Sequence, residues 1–140
     1  MSKDRFLEIM KFLRFDNKLT RSSRLQCDKF ALISEVWNTF IDNCKLCYKP
    51  NENITIDEQL FLTKTRCRFL QYMPNKPDKF GIKFWLAVDV RTKYALNRFP
   101  YLGKDEMRPS DQSLGENVVN RLVDPYKNTG RNIITDSFVT

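Results

Sequence analysis

Two short segments constrain the fold of this chain most, because each sets one aspartate in or just after a run rich in isoleucine and threonine. They read ITIDEQL at residues 54–60 and RNIITDSFVT at residues 131–140. Such runs predict buried or half-buried strands. A carboxylate in that setting is costly unless it is paired, hydrogen-bonded or bound to a metal. Asp57 and Asp136 are therefore either ligands that converge on one hard cation or strand-end acids that accept backbone hydrogen bonds.

Composition bounds the class of protein. The chain has 140 residues, of which 41% are hydrophobic and 13% aromatic, enough for one folded domain with a core. No window approaches the roughly 18 apolar residues of a membrane span, so no membrane partner is expected. The N-terminus carries charges throughout and has no apolar signal region. These features favour a reducing compartment such as the cytosol or nucleus.

The distribution of charge points to a polyanionic partner. Net charge is +7, and the segment from Lys64 to Lys83 contains six cations against one acid, with aromatic residues interleaved. The cations are Lys64, Arg66, Arg68, Lys76, Lys79 and Lys83. Cations spaced along a strand and loop beside a metal site predict a DNA-binding phosphate track. The alternative is a solvated basic face with no ligand.

The cysteines do not predict a zinc site. Cys44 and Cys47 form one CxxC pair, Cys27 and Cys67 stand alone, and the chain has no histidine. A structural zinc site usually needs a second paired cluster, so no zinc is expected and buried free thiols are favoured.

Helical periodicity dominates the first 47 residues. Residues 3–14 are predicted to form a helix with Ser2 as its N-cap, and the polar segment 16–27 a loop. Asp28 is predicted to cap a longer helix that runs to Cys47 and buries an apolar stripe. The stripe consists of Phe30, Ile33, Trp37, Phe40, Ile41 and Cys44.

Strand patterns follow a breaker cluster at residues 48–53. The segment ITIDEQL is the first predicted strand, and RCRFLQYM (66–73) is a second extended piece. Residues 83–90 and 93–102 read as a hairpin, Leu114–Val123 as a helix that Pro125 stops, and Asn132–Asp136 as the last strand. The sequence stops four residues after Asp136 with no helix to cover that strand, which predicts a fragment of a longer protein.

Several segments together resemble the piggyBac transposases. TIDEQL, YMPNKPDKFGIKFW, TKYALNRFPYLG and GRNIITDSFVT occur in the same order and at similar spacing as in that family. The opening SKDRFLEIMKFLRFDN is similar to the family's helical segment. One departure lies after the first aspartate, where many members read FRGR and this chain reads LTKTRCR, which keeps the cations but has no glycine.

The resemblance implies a fold and an activity. The expected fold is an α/β ribonuclease H-like core, here a partial mixed sheet at residues 51–140, preceded by a helical segment at residues 1–50 of the dimerisation and DNA-binding region. In the family, three aspartates hold divalent metal, Mg²⁺ or Mn²⁺, and transposon ends are cut and joined at TTAA targets in the nucleus. By motif match, Asp57 and Asp136 are the first and second catalytic aspartates, and a homodimer is the expected assembly.

The third aspartate of the family lies downstream of the segment matched here. We therefore expect this chain alone to be catalytically incomplete, and whether it acts as an enzyme stays open. The alternative function is a non-catalytic, transposon-derived DNA-binding or interaction module. Four further residues have expected roles: Glu58 as a structural or supporting acid on the opposite face from Asp57, Asp89 as a turn residue or rival ligand, and Trp37 and Trp85 as core.

Overall fold

The structure is a computed structural model that describes residues 1–63, 65–75, 77, 79–103 and 111–136. It has two compact units, Met1–Thr39 and Phe40–Thr140. Within the described ranges, no helix is long and apolar enough to cross a membrane.

The first unit is helical. Helix α1 spans Lys3–Phe12, and the Ser2 side chain accepts a hydrogen bond from the Arg5 backbone N–H, as the predicted cap requires. Helix α2 spans Arg21–Cys27, so the prediction of a loop over 16–27 is confirmed for residues 16–20 and wrong for residues 21–27. No apolar stripe marks this helix. The Asp16 carboxylate instead pairs with both Arg21 and Arg24, and these charge-assisted bonds anchor a polar helix that hydrophobic periodicity does not reveal.

Helix α3 spans Ser34–Cys47 and starts later than predicted. Asp28 caps a turn rather than the helix itself, because its Oδ1 accepts from the Phe30 N–H at 2.7 Å. The predicted buried stripe holds only at Ile41 and Cys44, since Phe40 is 46% exposed and Trp37 is half-buried against Phe30.

The second unit is built on a five-stranded mixed sheet. Strands β1 (Asn53–Leu62) and β3 (Phe80–Asp89) are long, whereas β2 (Gln71–Tyr72), β4 (Ala95–Pro100) and β5 (Asn132–Thr135) are short. Strand β3 pairs antiparallel with β1, β2 and β4, and β1 pairs parallel with β5 on its other edge. The hairpin β3–β4 and the strands at ITIDEQL and 132–136 are confirmed. The extended piece predicted at 66–73 is wrong except for the two residues of β2.

One face of the sheet carries the core. Helix α4 spans Leu114–Val123, as predicted, and Pro125 lies in the 3₁₀ turn Asp124–Tyr126 that follows it. Val118 and Leu122 of α4 pack with sheet residues that alternate along the strands. The sheet residues of this core are Ile54, Ile56, Trp85, Ala87 and Leu96. The core role predicted for Trp85 is confirmed.

The four cysteines carry free thiols. Cys44 is buried, Cys67 is half-buried, and Cys27 and Cys47 are exposed. The prediction of buried thiols is therefore correct for Cys44 and wrong for Cys27 and Cys47, because these two end their helices on the solvent side.

Candidate metal centre and the surface around it

Strand β1 presents Asp57 to solvent. Ile54 and Ile56 are almost fully buried beneath α4, and the two-residue period of the strand turns Asp57 to the opposite face, where it is exposed. Its Oδ1 accepts from the Glu58 backbone N–H at 2.7 Å. The carboxylate thus sits on a rigid central strand with acceptor capacity left for another group.

Strand β5 brings Asp136 to the same part of the sheet. The parallel register pairs Asn53 with Asn132 and continues to Ile56 with Thr135. Asp57 follows Ile56 within β1, and Asp136, which is also exposed, directly follows Thr135 at the end of β5. Neighbouring strands lie about 4.8 Å apart, and directly paired residues share one face of a parallel sheet.

This arrangement suits a hard cation. Carboxylate oxygens are the ligands that Mg²⁺ prefers, and Mg²⁺ keeps several waters when the protein supplies one or two carboxylates. Among the residues that the structure describes, no group of three or more His, Cys, Asp or Glu is placed to hold a metal ion. A site built from two carboxylates would leave the remaining coordination of such an ion to water or to further ligands.

Glu58 lies on the face opposite Asp57, as predicted. Its carboxylate is 2.5 Å from Lys83 Nζ, and that ammonium lies 3.9 Å from the centre of the Trp85 ring. Both charged side chains are largely buried. Lys83 was predicted as a DNA-binding cation, but in the structure its charge neutralises Glu58 beside the core.

Three other cations of the predicted phosphate track are exposed: Arg66, Arg68 and Lys79. The strands that follow them in the chain carry an exposed aromatic pair, Tyr72 of β2 and Phe80 of β3, whose ring centres are 4.8 Å apart. Exposed cations and exposed aromatic rings are the two kinds of side chain that a nucleic acid engages, through its phosphates and its base faces. Lys64 and Lys76, the remaining members of the predicted track, lie outside the described residues.

Asp89 is fully buried and accepts hydrogen bonds in the β3–β4 turn, the role that the family resemblance favoured. Its Oδ2 accepts from the backbone and side chain of Asn51 at 2.7 and 3.0 Å. Its Oδ1 accepts from the Arg91 and Thr92 N–H groups and from the Thr92 hydroxyl. Burial raises the pKa of Asp89, but the hydrogen bonds from Thr92 and Asn51 outweigh burial and lower that pKa to about 2.

Sequence reasoning missed Arg131 and Asn51. Arg131 Nε lies 3.0 Å from the Pro50 carbonyl oxygen and 3.1 Å from that of Asn51, and its Nη2 lies 2.9 Å from the Pro50 oxygen. These contacts join segments some 80 positions apart in the chain. A lone arginine before a strand gives no sequence signal of such partners.

Comparison with known proteins identifies the family. A DDE-transposase family model described as "Transposase IS4" matches residues 1–140. A cryo-EM structure of a piggyBac transposase synaptic complex with hairpin DNA matches with a TM-score of 0.84 and 41% sequence identity. The match covers 95% of this chain and 28% of that transposase, so this chain spans about a quarter of its length. The predicted fold class, a ribonuclease H-like α/β fold with a mixed sheet preceded by helices, is confirmed by this match, and the chain belongs to the piggyBac-type transposase family.

Proposed function

We propose that Asp57 and Asp136 are metal ligands of a piggyBac-type DNA transposase, and that this chain supplies the first two of its catalytic carboxylates. The observation that carries the proposal is the β1–β5 register, which makes these two aspartates the next residues after the pair Ile56 and Thr135. Small displacements of catalytic groups cost large factors in rate. A strand paired on both edges, as β1 is with β3 and β5, is therefore a suitable support for a metal ligand.

The chemistry of the site fits Mg²⁺ or Mn²⁺. When bound, such an ion favours the ionised form of a water or 3′-hydroxyl and offsets charge on a scissile phosphate. The chain itself contributes two exposed carboxylates, Asp57 and Asp136, and Glu58 is paired with Lys83 on the other face of β1 from Asp57. Both aspartates thus remain directed to the solvent side, where a DNA backbone can approach.

DNA is the proposed substrate. The solved relative was captured as a synaptic complex with hairpin DNA, and Arg66, Arg68 and Lys79 expose positive charge on the strand and loop that follow β1. From the family resemblance we further propose transposon ends as substrate, TTAA as target, action as a homodimer and a nuclear location.

Metal binding by the folded chain tests the site directly. Mn²⁺ titration followed by electron paramagnetic resonance should detect a weak site that Asp57→Asn and Asp136→Asn each abolish. Asp124→Asn is the matched control, because Asp124 is an exposed acid that pairs with Lys127 elsewhere in the same unit. Unaltered Mn²⁺ binding in Asp57→Asn would rule out the site.

Catalysis is tested separately. We expect the chain alone neither to nick nor to join transposon-end DNA with Mg²⁺ or Mn²⁺, because two carboxylates leave much of the metal coordination to water. A cleavage product that disappears in Asp57→Ala would contradict this expectation and show a self-sufficient centre.

A non-catalytic DNA-binding module is the second candidate, favoured by the exposed cations and aromatic pair. Its affinity should fall steeply with salt, and replacing Arg66, Arg68 and Lys79 by glutamine should flatten the slope of log K against log salt by about 3. The matched triple Arg91→Gln, Lys93→Gln and Lys127→Gln removes equal charge at other exposed positions. An equal change of slope in the two triple variants would indicate non-specific attraction to DNA rather than a phosphate track at Arg66, Arg68 and Lys79.

A further inference from the structure

The alignment of the two aspartates depends on a register that the chain must set without a hairpin. Strands β1 and β5 are parallel and far apart in sequence, so no tight turn fixes their offset. Burial normally specifies register, because a one-residue slip moves apolar side chains to the wrong face. Here Ile133 is 37% exposed and Ile134 is 47% exposed, so both faces of β5 are about equally buried and a slip is weakly opposed.

Polar contacts at the start of the two strands specify the β1–β5 register instead. Arg131, the residue before β5, donates from Nε and Nη2 to the carbonyls of Pro50 and Asn51, just before β1. The planar guanidinium presents these donors in a fixed fork, which admits few relative positions of the two segments. A contact of this kind fixes the offset between β5 and β1 as well as holding the two segments together.

The segment that Arg131 holds is itself fixed. Pro50 is buried, and the Asn51 backbone and side chain bind the fully buried carboxylate of Asp89. The Asn132 N–H then donates to the Glu52 carbonyl at 2.8 Å. The Asn132 side chain donates to the Asn53 side chain at 3.0 Å. Each contact repeats the same offset between the strands.

We propose that Arg131 is a positioning residue that sets the β1–β5 register and so aligns Asp136 with Asp57; this inference rests on the proposed function. A slip of one residue turns Asp136 to the face opposite Asp57. A slip of two residues keeps the face but displaces Asp136 by about 6.6 Å along the strand, more than the roughly 4 Å that separates paired catalytic metals. Either slip removes one carboxylate from the shared ion.

The test uses the full chain with Arg131→Met, which keeps the aliphatic stem, and Arg131→Lys, which keeps the charge but loses the fork. Arg91→Met is the matched control, since Arg91 is exposed on the β3–β4 turn. Two quantities are measured: Mn²⁺ affinity, and the cross-strand nuclear Overhauser contacts between Thr55 and Ile134. Near-ultraviolet circular dichroism of buried Trp85 reports whether the core is intact.

With the core intact, Arg131→Met should weaken Mn²⁺ binding by at least about tenfold, as loss of supporting contacts around metal ligands commonly does. The Thr55–Ile134 contacts should disappear with it, Arg131→Lys should restore neither, and Arg91→Met should change neither. Retained cross-strand contacts in Arg131→Met would overturn the proposal, whatever the Mn²⁺ affinity. If Arg131→Met does not fold, the same two measurements on Arg131→Lys decide the question.

The failure of this inference is distinguishable from failure of the proposed function. If Asp57→Asn abolishes Mn²⁺ binding but Arg131→Met preserves both the binding and the register, the metal site is supported and the positioning role of Arg131 is ruled out. If Asp57→Asn leaves Mn²⁺ binding unchanged, the metal site is ruled out. The cross-strand contacts between Thr55 and Ile134 then decide alone whether Arg131 sets the register.

Discussion

Strand β1 has two neighbours that are held to it by different means. Strand β3 pairs with it along nine residue positions, from Ile54 with Asp89 to Leu62 with Gly81, whereas β5 pairs along four. The β3 side is fixed by a buried core, and the β5 side by polar contacts at one end. The proposed metal site spans the second, weaker junction, so its geometry depends on side chains that contribute little to the core.

The closeness of the first junction is visible at Gly81. A Cβ built there would lie 2.3 Å from the Phe61 carbonyl oxygen, so the two strands approach at a distance that only glycine permits. On the second junction, the paired residues of β5 are exposed or half-buried.

The largest effect is expected from truncating the two members of one cross-strand pair. Ile54 is 0% exposed and its β5 partner Ile133 is 37% exposed. Ile54→Ala should lower the free energy of unfolding by about 3 kcal/mol, and Ile133→Ala by about 1 kcal/mol, because the cavity term is small at a partly exposed site. Urea denaturation measures both, and equal losses would show that β5 is packed as deeply as β1.

Asp89→Asn should cost about 2 kcal/mol of unfolding free energy. The substitution removes charge-assisted acceptance of hydrogen bonds from Asn51 and Thr92 at a fully buried site. Thermal denaturation measures the loss. Asp124→Asn, at an exposed ion pair with Lys127, should change stability by less than about 0.5 kcal/mol. A loss no larger than that of the control would show that the hydrogen bonds to the Asp89 carboxylate do not stabilise the fold.

Stability should also fall in acid through Asp89. Because the folded pKa of about 2 lies below the ordinary value of 3.8, this carboxylate stabilises the fold fully above about pH 4. The contribution diminishes as the pH falls from the ordinary pKa through the folded one. Between pH 4 and pH 2, the unfolding free energy should therefore drop less steeply in Asp89→Asn than in the parent chain; parallel curves would exclude Asp89 as a source of the acid sensitivity.

Hydrogen exchange compares the two junctions within one molecule. The Val90 N–H donates to the Asn53 carbonyl from the β3 side, and the Asn132 N–H donates to the Glu52 carbonyl from the β5 side. We expect the Asn132 amide to exchange at least about tenfold faster, because β5 opens without disrupting the core. Native-state exchange measured by NMR gives both rates, and equal protection would mean that the sheet opens as one unit.

The smallest expected effect is stabilisation by metal. Mn²⁺ at about five times its dissociation constant should raise the unfolding free energy by about 1 kcal/mol if it binds only the folded chain. Asp57→Asn should abolish this increment without lowering the stability of the metal-free chain, because the substitution relieves repulsion between neighbouring carboxylates. An undiminished increment in Asp57→Asn would place the ion elsewhere.

Much of the local structure could be predicted because its causes are local. The bounds of α4, the Ser2 cap of α1 and the β3–β4 hairpin follow from apolar periodicity, capping and turn residues within one segment. Helix α2 was missed because its anchor is the ion pairing of Asp16 with two arginines rather than an apolar stripe. The extended piece predicted at 66–73 is too long, because only Gln71 and Tyr72 of that segment pair with β3.

The sequence by itself determined that Asp57 and Asp136 lie at strands, that the chain is an α/β protein of a transposase family, and that its basic residues cluster after the first strand. Only the tertiary structure decided which strands are neighbours. It also decided that the Lys83 ammonium pairs with Glu58 and that the Asp89 carboxylate accepts hydrogen bonds within the β3–β4 turn. The physical reason is that strand periodicity fixes the face of a residue but not its partner. For parallel strands far apart in sequence, the partner is chosen by contacts such as those of Arg131, which exist only in the folded chain.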